Sequence, residues 1–226
     1  MGDKNVIITG ATGMVGGCAL RICLENPDVS LVTVMGRSPT GIIHTKLREV
    51  VVEDFTDYSA SADTLENQDV ALFCLGAYTG AVPDDLFREI TVDYTIALAK
   101  ALHKVSPQAA FCFLSGQGAD QTEKSRMSFA RYKGAAEKAL LDTGFSRVHI
   151  FRPGYIYPVT PRKEPNLMYT ISRFLYPVLR QVYPNIGIAS KNLAAAMVRA
   201  GLHGTGENQN PVLENKDIRY LDEQGT

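Results

Sequence analysis

Short apolar runs alternate along the chain with longer stretches whose apolar positions recur at helical spacing. Val6-Ile7-Ile8 is the first run. Others lie at 29–35, at 47–53 around Val50-Val51-Val52, at 69–75, at 109–114 and at 148–151. These read as strands, and because they are apolar throughout rather than alternating, as strands buried on both faces. Between them, 14–25, 83–105 and 127–141 read as helices. Asn26-Pro27 stops the first, Pro83 suits the first turn of the second, and Gly144 closes the third.

Strands alternating with helices at this spacing predict an α/β fold: a Rossmann-type doubly wound parallel sheet. The 226 residues suit one domain, 1–226, with 155–226 as a small extension on the substrate side. Within that extension the spacing predicts a helix over 167–182 kinked at Pro177, and a helix over 191–201 capped by Ser190. A short strand at 211–213 and a final helix over 215–221 follow.

The first strand leads into Gly10-Ala11-Thr12-Gly13-Met14-Val15-Gly16, and a helix follows at once. Strand, glycine turn and helix in this order form a dinucleotide-binding turn. Gly10 allows the turn, Gly13 lets the backbone approach a pyrophosphate, and Gly16 lets the helix pack on the strand. The N–H groups of the helix start would face the phosphates.

Functional side chains in such a sheet gather where strands end. After the second strand stands Arg37, where an NAD site has an acid for the ribose hydroxyls. An arginine there suits a 2′-phosphate, so the expected cofactor is NADP, with NAD the less favoured. Asp54 and Phe55 follow the third strand, as acceptor for and flank of the adenine, or as a plain turn cap. Leu75, Gly76 and Ala77 end the fourth strand beside the adenine ribose, and Tyr78 and Thr79 continue into a loop within reach of substrate. Ser115 ends the fifth strand, and Lys133 lies on the helix after it.

A net charge of −1 gives no general pull toward nucleic acid or anionic lipid. No apolar run is long enough to span a membrane. The polar N-terminus lacks a signal-peptide core, so the expected location is cytoplasmic. Cys18, Cys23, Cys74 and Cys112 form no C-x-x-C pair, and the four histidines have no ligand spacing, so no metal is expected.

Six pieces together resemble one family. They are Thr9-Gly10-Ala11-Thr12-Gly13-Met14-Val15-Gly16, Cys74-Leu75-Gly76, Val92-Asp93-Tyr94, Ser115-Gly116-Gln117-Gly118-Ala119-Asp120, Lys133-Gly134-Ala135-Ala136-Glu137 and Arg152-Pro153-Gly154. In this order, over nearly the whole chain, they resemble an atypical short-chain dehydrogenase/reductase. The nearest groups are the Tat-interacting-protein-like oxidoreductases and single-domain NAD-dependent epimerase/dehydratase-like proteins. The resemblance implies that Lys133 binds the nicotinamide ribose, that Ser115 orients substrate, and that Pro153 and Gly154 lie beside the nicotinamide. It also implies hydride transfer to or from a small carbonyl or alcohol whose identity the sequence leaves open. A homodimer through the helices at 83–105 and 127–141 would fit the same family.

One position departs from the pattern. The family places a tyrosine four residues before the lysine, as proton donor at the substrate oxygen; here that residue is Phe129. Tyr132 is one step from Lys133, about 100° round the helix. Tyr78 and Tyr155 are the other candidates for the proton. The alternative function is an NADP(H)-binding redox sensor or interaction module with little or no catalysis.

Overall fold

The computed structural model describes residues 2–78, 80–159, 184–206 and 209–224. The position of Thr79 and the helix expected over 167–182 fall outside them. Strand β1 (Lys4–Thr9) is followed by α1 (Met14–Glu25), β2 (Val29–Gly36), β3 (Leu47–Val51) and β4 (Val70–Phe73). Then come α2 (Asp84–Arg88), α3 (Tyr94–Val105), β5 (Ala110–Leu114), α4 (Ser128–Leu141) and β6 (Arg147–Arg152). After them stand β7 (Tyr155–Tyr157), β8 (Gly187–Ala189), α5 (Ser190–His203), β9 (Val212–Glu214) and α6 (Asn215–Glu223). Among the described residues seven strands form one sheet in the order β3-β2-β1-β4-β5-β6-β9, every pairing parallel. A separate pair, β7 with β8, is parallel too. This is the Rossmann-type sheet that the alternation of runs predicts.

Successive side chains of a strand leave opposite faces, so each apolar strand feeds two cores. On one face Val6, Ile8, Leu72, Cys112 and Phe151 pack with Leu20 of α1 and Leu193 and Met197 of α5. On the other, Ile7, Phe73, Phe111, Phe113 and Ile150 pack with Leu98 of α3 and Leu140 of α4. Full burial of each such side chain is worth about 1.5–3 kcal/mol, enough to fix strand register against a one-residue slip.

Three details differ from expectation. The helix over 83–105 is broken into α2 and α3 by a wide π turn at Glu89–Asp93, which holds the β-branched run Ile90-Thr91-Val92. Ser190 begins α5 rather than capping it: Ala189 is the N-cap, and Ser190 Oγ accepts the Val159 N–H at 3.3 Å. The chain beyond Gly154 is more than an extension over the substrate. Its β9 lengthens the sheet beside β6, and α5 lies against α1 in the core.

Candidate functional site

Gly10 leaves β1 at φ +74°, and a Cβ on it would stand 2.6 Å from the Cys74 carbonyl carbon and oxygen. Only glycine fits both constraints. The Gly13 N–H donates to Gly10 O at 2.9 Å and closes the turn. A Cβ on Gly16 would overlap the Gly10 carbonyl oxygen, so this glycine seats α1 on the turn. Gly13 is the N-cap of α1, with extended backbone and no side-chain cap, and the first turn carries no acid. The helix start thus presents unsatisfied N–H groups and the positive end of its dipole. A 430 Å³ cavity runs along it, lined by Ala11, Thr12, Gly13, Met14, Gly17, Arg21 and Ser190 among others. Val15, by contrast, is a core side chain, so only its backbone is available to a ligand there.

Beyond β2, Arg37 is exposed; burial first, then Glu89 and Asp54, raise the Tyr94 pKa, and the Arg37 charge partly opposes them. Asp54 Oδ1 accepts both the Thr56 N–H and the Thr56 hydroxyl at 2.7 Å, which holds this exposed carboxyl below its usual range. The turn-cap reading of Asp54 is therefore what the structure contains. Phe55 corrects the expectation of an adenine flank. Its ring is 3% exposed, stacked on Tyr94 at 5.4 Å and part of the second core. The cause is the apolar patch formed by Tyr58 and Tyr94, which takes the ring inward. Leu75 and Ala77 are half-buried, and Gly76 between them is exposed with nothing within 4 Å of a Cβ built on it.

A second cavity, 320 Å³, opens where β5 and β6 end. Tyr78, Ser115, Gln117, Phe129, Pro153, Gly154 and Tyr155 line it, and Met14 lies on both cavities. Six of the sequence-selected residues thus meet around one space: Met14, Tyr78, Ser115, Pro153, Gly154 and Tyr155. Lys133 lies next to it. Its side chain is nearly buried, and Nζ donates to Leu114 O at 2.8 Å, one residue before Ser115, while standing 4.8 Å over the Phe113 ring. Burial lowers the Lys133 pKa from 10.5 to about 8, with the Glu137 charge pulling it partly back.

Tyr132 is not part of this group. Its hydroxyl donates to Asp84 Oδ2 at 2.6 Å, its ring packs on Phe87, and the carboxylate raises the phenol pKa. A single helical step from Lys133 turns it toward α2, so the shifted-tyrosine role is not what the structure builds.

Sequence reading missed Glu137. Fully buried on α4, it accepts the Ser115 hydroxyl at 2.5 Å and Arg152 Nε at 2.9 Å on Oε1. Its Oε2 accepts Gln121 Nε2 at 2.8 Å and Arg152 Nη2 at 2.5 Å. Arg152 also reaches Glu214 Oε1 at 3.3 Å. The signal was present: Glu137 follows Lys133 by four residues and so shares its helix face. Without the fold, nothing tied that face to Ser115 or Arg152.

The architecture is shared with the Bordetella bronchiseptica enzyme WbmF in complex with NAD+, at TM-score 0.68 and 14% identity, covering 98% of this chain and 78% of that one. Sheet order, glycine turn and the Ser115–Lys133 arrangement are similar to those of the atypical short-chain dehydrogenases/reductases. Among curated relatives, rat Protein HTATIP2 is 28% identical over 224 residues, 98% of this chain and 90% of that protein. "Protein fmp52, mitochondrial" of Emericella nidulans is 29% identical over 209 residues, 88% and 87% of the two chains. No family model matches the chain. Among the described residues no helix is long and apolar enough to cross a membrane.

Proposed function

We propose that this chain is an NADP(H)-dependent oxidoreductase acting on a small carbonyl or alcohol. The observation that carries the reading is the pair of cavities joined at Met14. One runs along an uncapped helix start, the other holds Ser115, Tyr78 and Tyr155. The NAD+ named in the WbmF structure supports a nicotinamide dinucleotide as ligand.

The residues present fit that group. The N–H groups at Thr12 and Met14 would take the pyrophosphate, and the open space at Gly76 would take the adenine ribose. Arg37 would pair with a 2′-phosphate through charge-assisted hydrogen bonds. Lys133 Nζ, which gives one of its three hydrogens to Leu114 O, would give others to ribose hydroxyls. Pro153 and Gly154 would border the nicotinamide end. When bound, the cofactor supplies or accepts the hydride.

The chain's own part is then positioning and proton handling at the substrate oxygen. Phe129 has no proton to give and Tyr132 is engaged with Asp84, so the candidates are the two other tyrosines that line the cavity, Tyr78 and Tyr155. A positioned general acid is worth about 10²–10⁴ in rate. The test is a fluorescence titration with NADPH and NADH, followed by turnover on aldehydes, ketones and quinones with Tyr78→Phe and Tyr155→Phe in parallel. NADPH should bind more tightly, and one of the two variants should lose about a hundredfold in kcat. Absence of binding by either nucleotide sinks the reading; binding without turnover on any substrate replaces it with the non-catalytic one.

A further inference from the structure

We infer that Glu137 is a positioning residue that fixes the direction of the Ser115 hydroxyl, so that this serine presents acceptor lone pairs alone and selects a substrate group that donates a hydrogen bond. The inference deepens the proposed function and rests on it for the identity of the cavity.

A serine hydroxyl has one hydrogen and two lone pairs. That hydrogen can be used once. Glu137 receives it at 2.5 Å, inside a fully buried carboxylate. Glu137 has no proton of its own to return. Both its oxygens face N–H donors: Arg152 Nε on Oε1, and Arg152 Nη2 and Gln121 Nε2 on Oε2. A two-pronged guanidinium matches a carboxyl group that accepts at both oxygens. Glu214 on the far side of Arg152, at 3.3 Å, holds the guanidinium in that orientation. In the chain Glu214–Arg152–Glu137–Ser115 the guanidinium and the hydroxyl donate and both carboxylates accept. What remains of Ser115 toward the cavity is acceptor capacity.

The chemical consequence is a preference for a hydroxyl over a carbonyl or ether oxygen at Ser115. A bare acceptor placed there would meet lone pairs and lose a hydrogen bond it had in water, which costs roughly tenfold in affinity. The alcohol form of a substrate pair, or a second hydroxyl beside the reacting carbon, matches the site. A ketone without such a group does not.

The probes are 2-naphthol, which carries a donor, and 2-methoxynaphthalene, which has the same rings and only an acceptor. Each is titrated against the full chain by fluorescence, with and without NADP+, so no turnover is needed. Wild type should bind the naphthol about tenfold more tightly. Ser115→Ala should bring the two within twofold of each other. So should the double variant Glu137→Met/Arg152→Met, which replaces the buried ion pair with apolar groups of similar size and keeps the fold. General damage to the cavity weakens both probes alike, so the ratio reports the hydroxyl direction. Binding of neither probe, equal binding in wild type, or a preference that survives Ser115→Ala overturns the inference. A failure of NADPH binding with the naphthol preference intact would overturn the proposed function and leave this one standing.

Discussion

The Phe129 ring points its tip at the bare Cα of Gly116. A Cβ on Gly116 would stand 2.6 Å from Phe129 Cζ and 3.5 Å from both ε carbons. Equal distances to the two ε carbons place that missing Cβ on the long axis of the ring, where a tyrosine would carry its hydroxyl. The absence of a Cβ on Gly116 thus makes room for the tip of the Phe129 ring. Phe129→Tyr should overpack this contact and cost about 1–3 kcal/mol. Thermal unfolding of the variant should show a lower midpoint, with no gain in NADPH-dependent turnover. A tyrosine accepted at unchanged midpoint, with new activity, would show instead that the family's proton donor can be restored by one substitution.

Gly76 and Gly16 separate the two reasons for a glycine. Gly16→Ala meets the Gly10 carbonyl oxygen, a backbone atom that cannot yield cheaply. That variant should unfold at lower denaturant whether or not a nucleotide is present. Gly76→Ala meets open space in the unliganded chain. It should keep the wild-type urea midpoint within error and still lose about tenfold or more in NADPH affinity, if the ribose lies there. Equal NADPH affinity for Gly76→Ala and wild type would remove this residue from the binding site.

What the sequence made legible follows from what its signals encode. Apolar runs report burial on both faces, and their alternation with helices made the parallel Rossmann-type sheet legible. The glycine turn was legible because its three glycines answer local steric demands, between Gly10 and Cys74 and between Gly16 and Gly10. Side-chain direction was not. Phe55 and Asp54 are neighbours, yet one ring enters the core while the other side chain caps a turn, a choice made by Tyr94 from a distant helix. Tyr132 was drawn away from Lys133 by Asp84, also remote in sequence. Glu137 escaped notice for the same reason: its partners Ser115 and Arg152 lie on two different strands' ends.

Arg37 carries the expected preference for NADP. It is exposed just past β2 and shares its surroundings with Asp54 and Tyr94. A charge-assisted hydrogen bond is worth about 1.5–3 kcal/mol, so Arg37→Ala should weaken NADPH about ten- to a hundredfold. NADH, which has no 2′-phosphate, should be unaffected within about twofold. Parallel titrations read both. Equal losses for the two nucleotides would assign Arg37 to adenine stacking or to general folding rather than to phosphate.

His149 sets the acid limit of stability. It lies on β6, is 7% exposed, and its Nε2 has no hydrogen-bond partner among the described residues. Burial first, and then the charge of Arg147, lowers its pKa from 6.5 to about 4. The unfolded chain therefore takes up this proton near pH 6.5, whereas the folded chain resists it until about pH 4. Between those values the unfolded state binds more protons, so stability rises with pH across the window and falls as pH drops. The loss should reach about 2 kcal/mol at pH 5 relative to pH 8. The lowered carboxyls of Asp54, Asp84 and Asp120 act in the same direction but only below the ordinary aspartate value of 3.8, so the two effects separate. Urea midpoints at pH 8, 6.5 and 5 measure the slope. His149→Leu, which keeps the volume and removes the proton site, should flatten it. A wild-type slope that persists in that variant would place the sensitive group elsewhere.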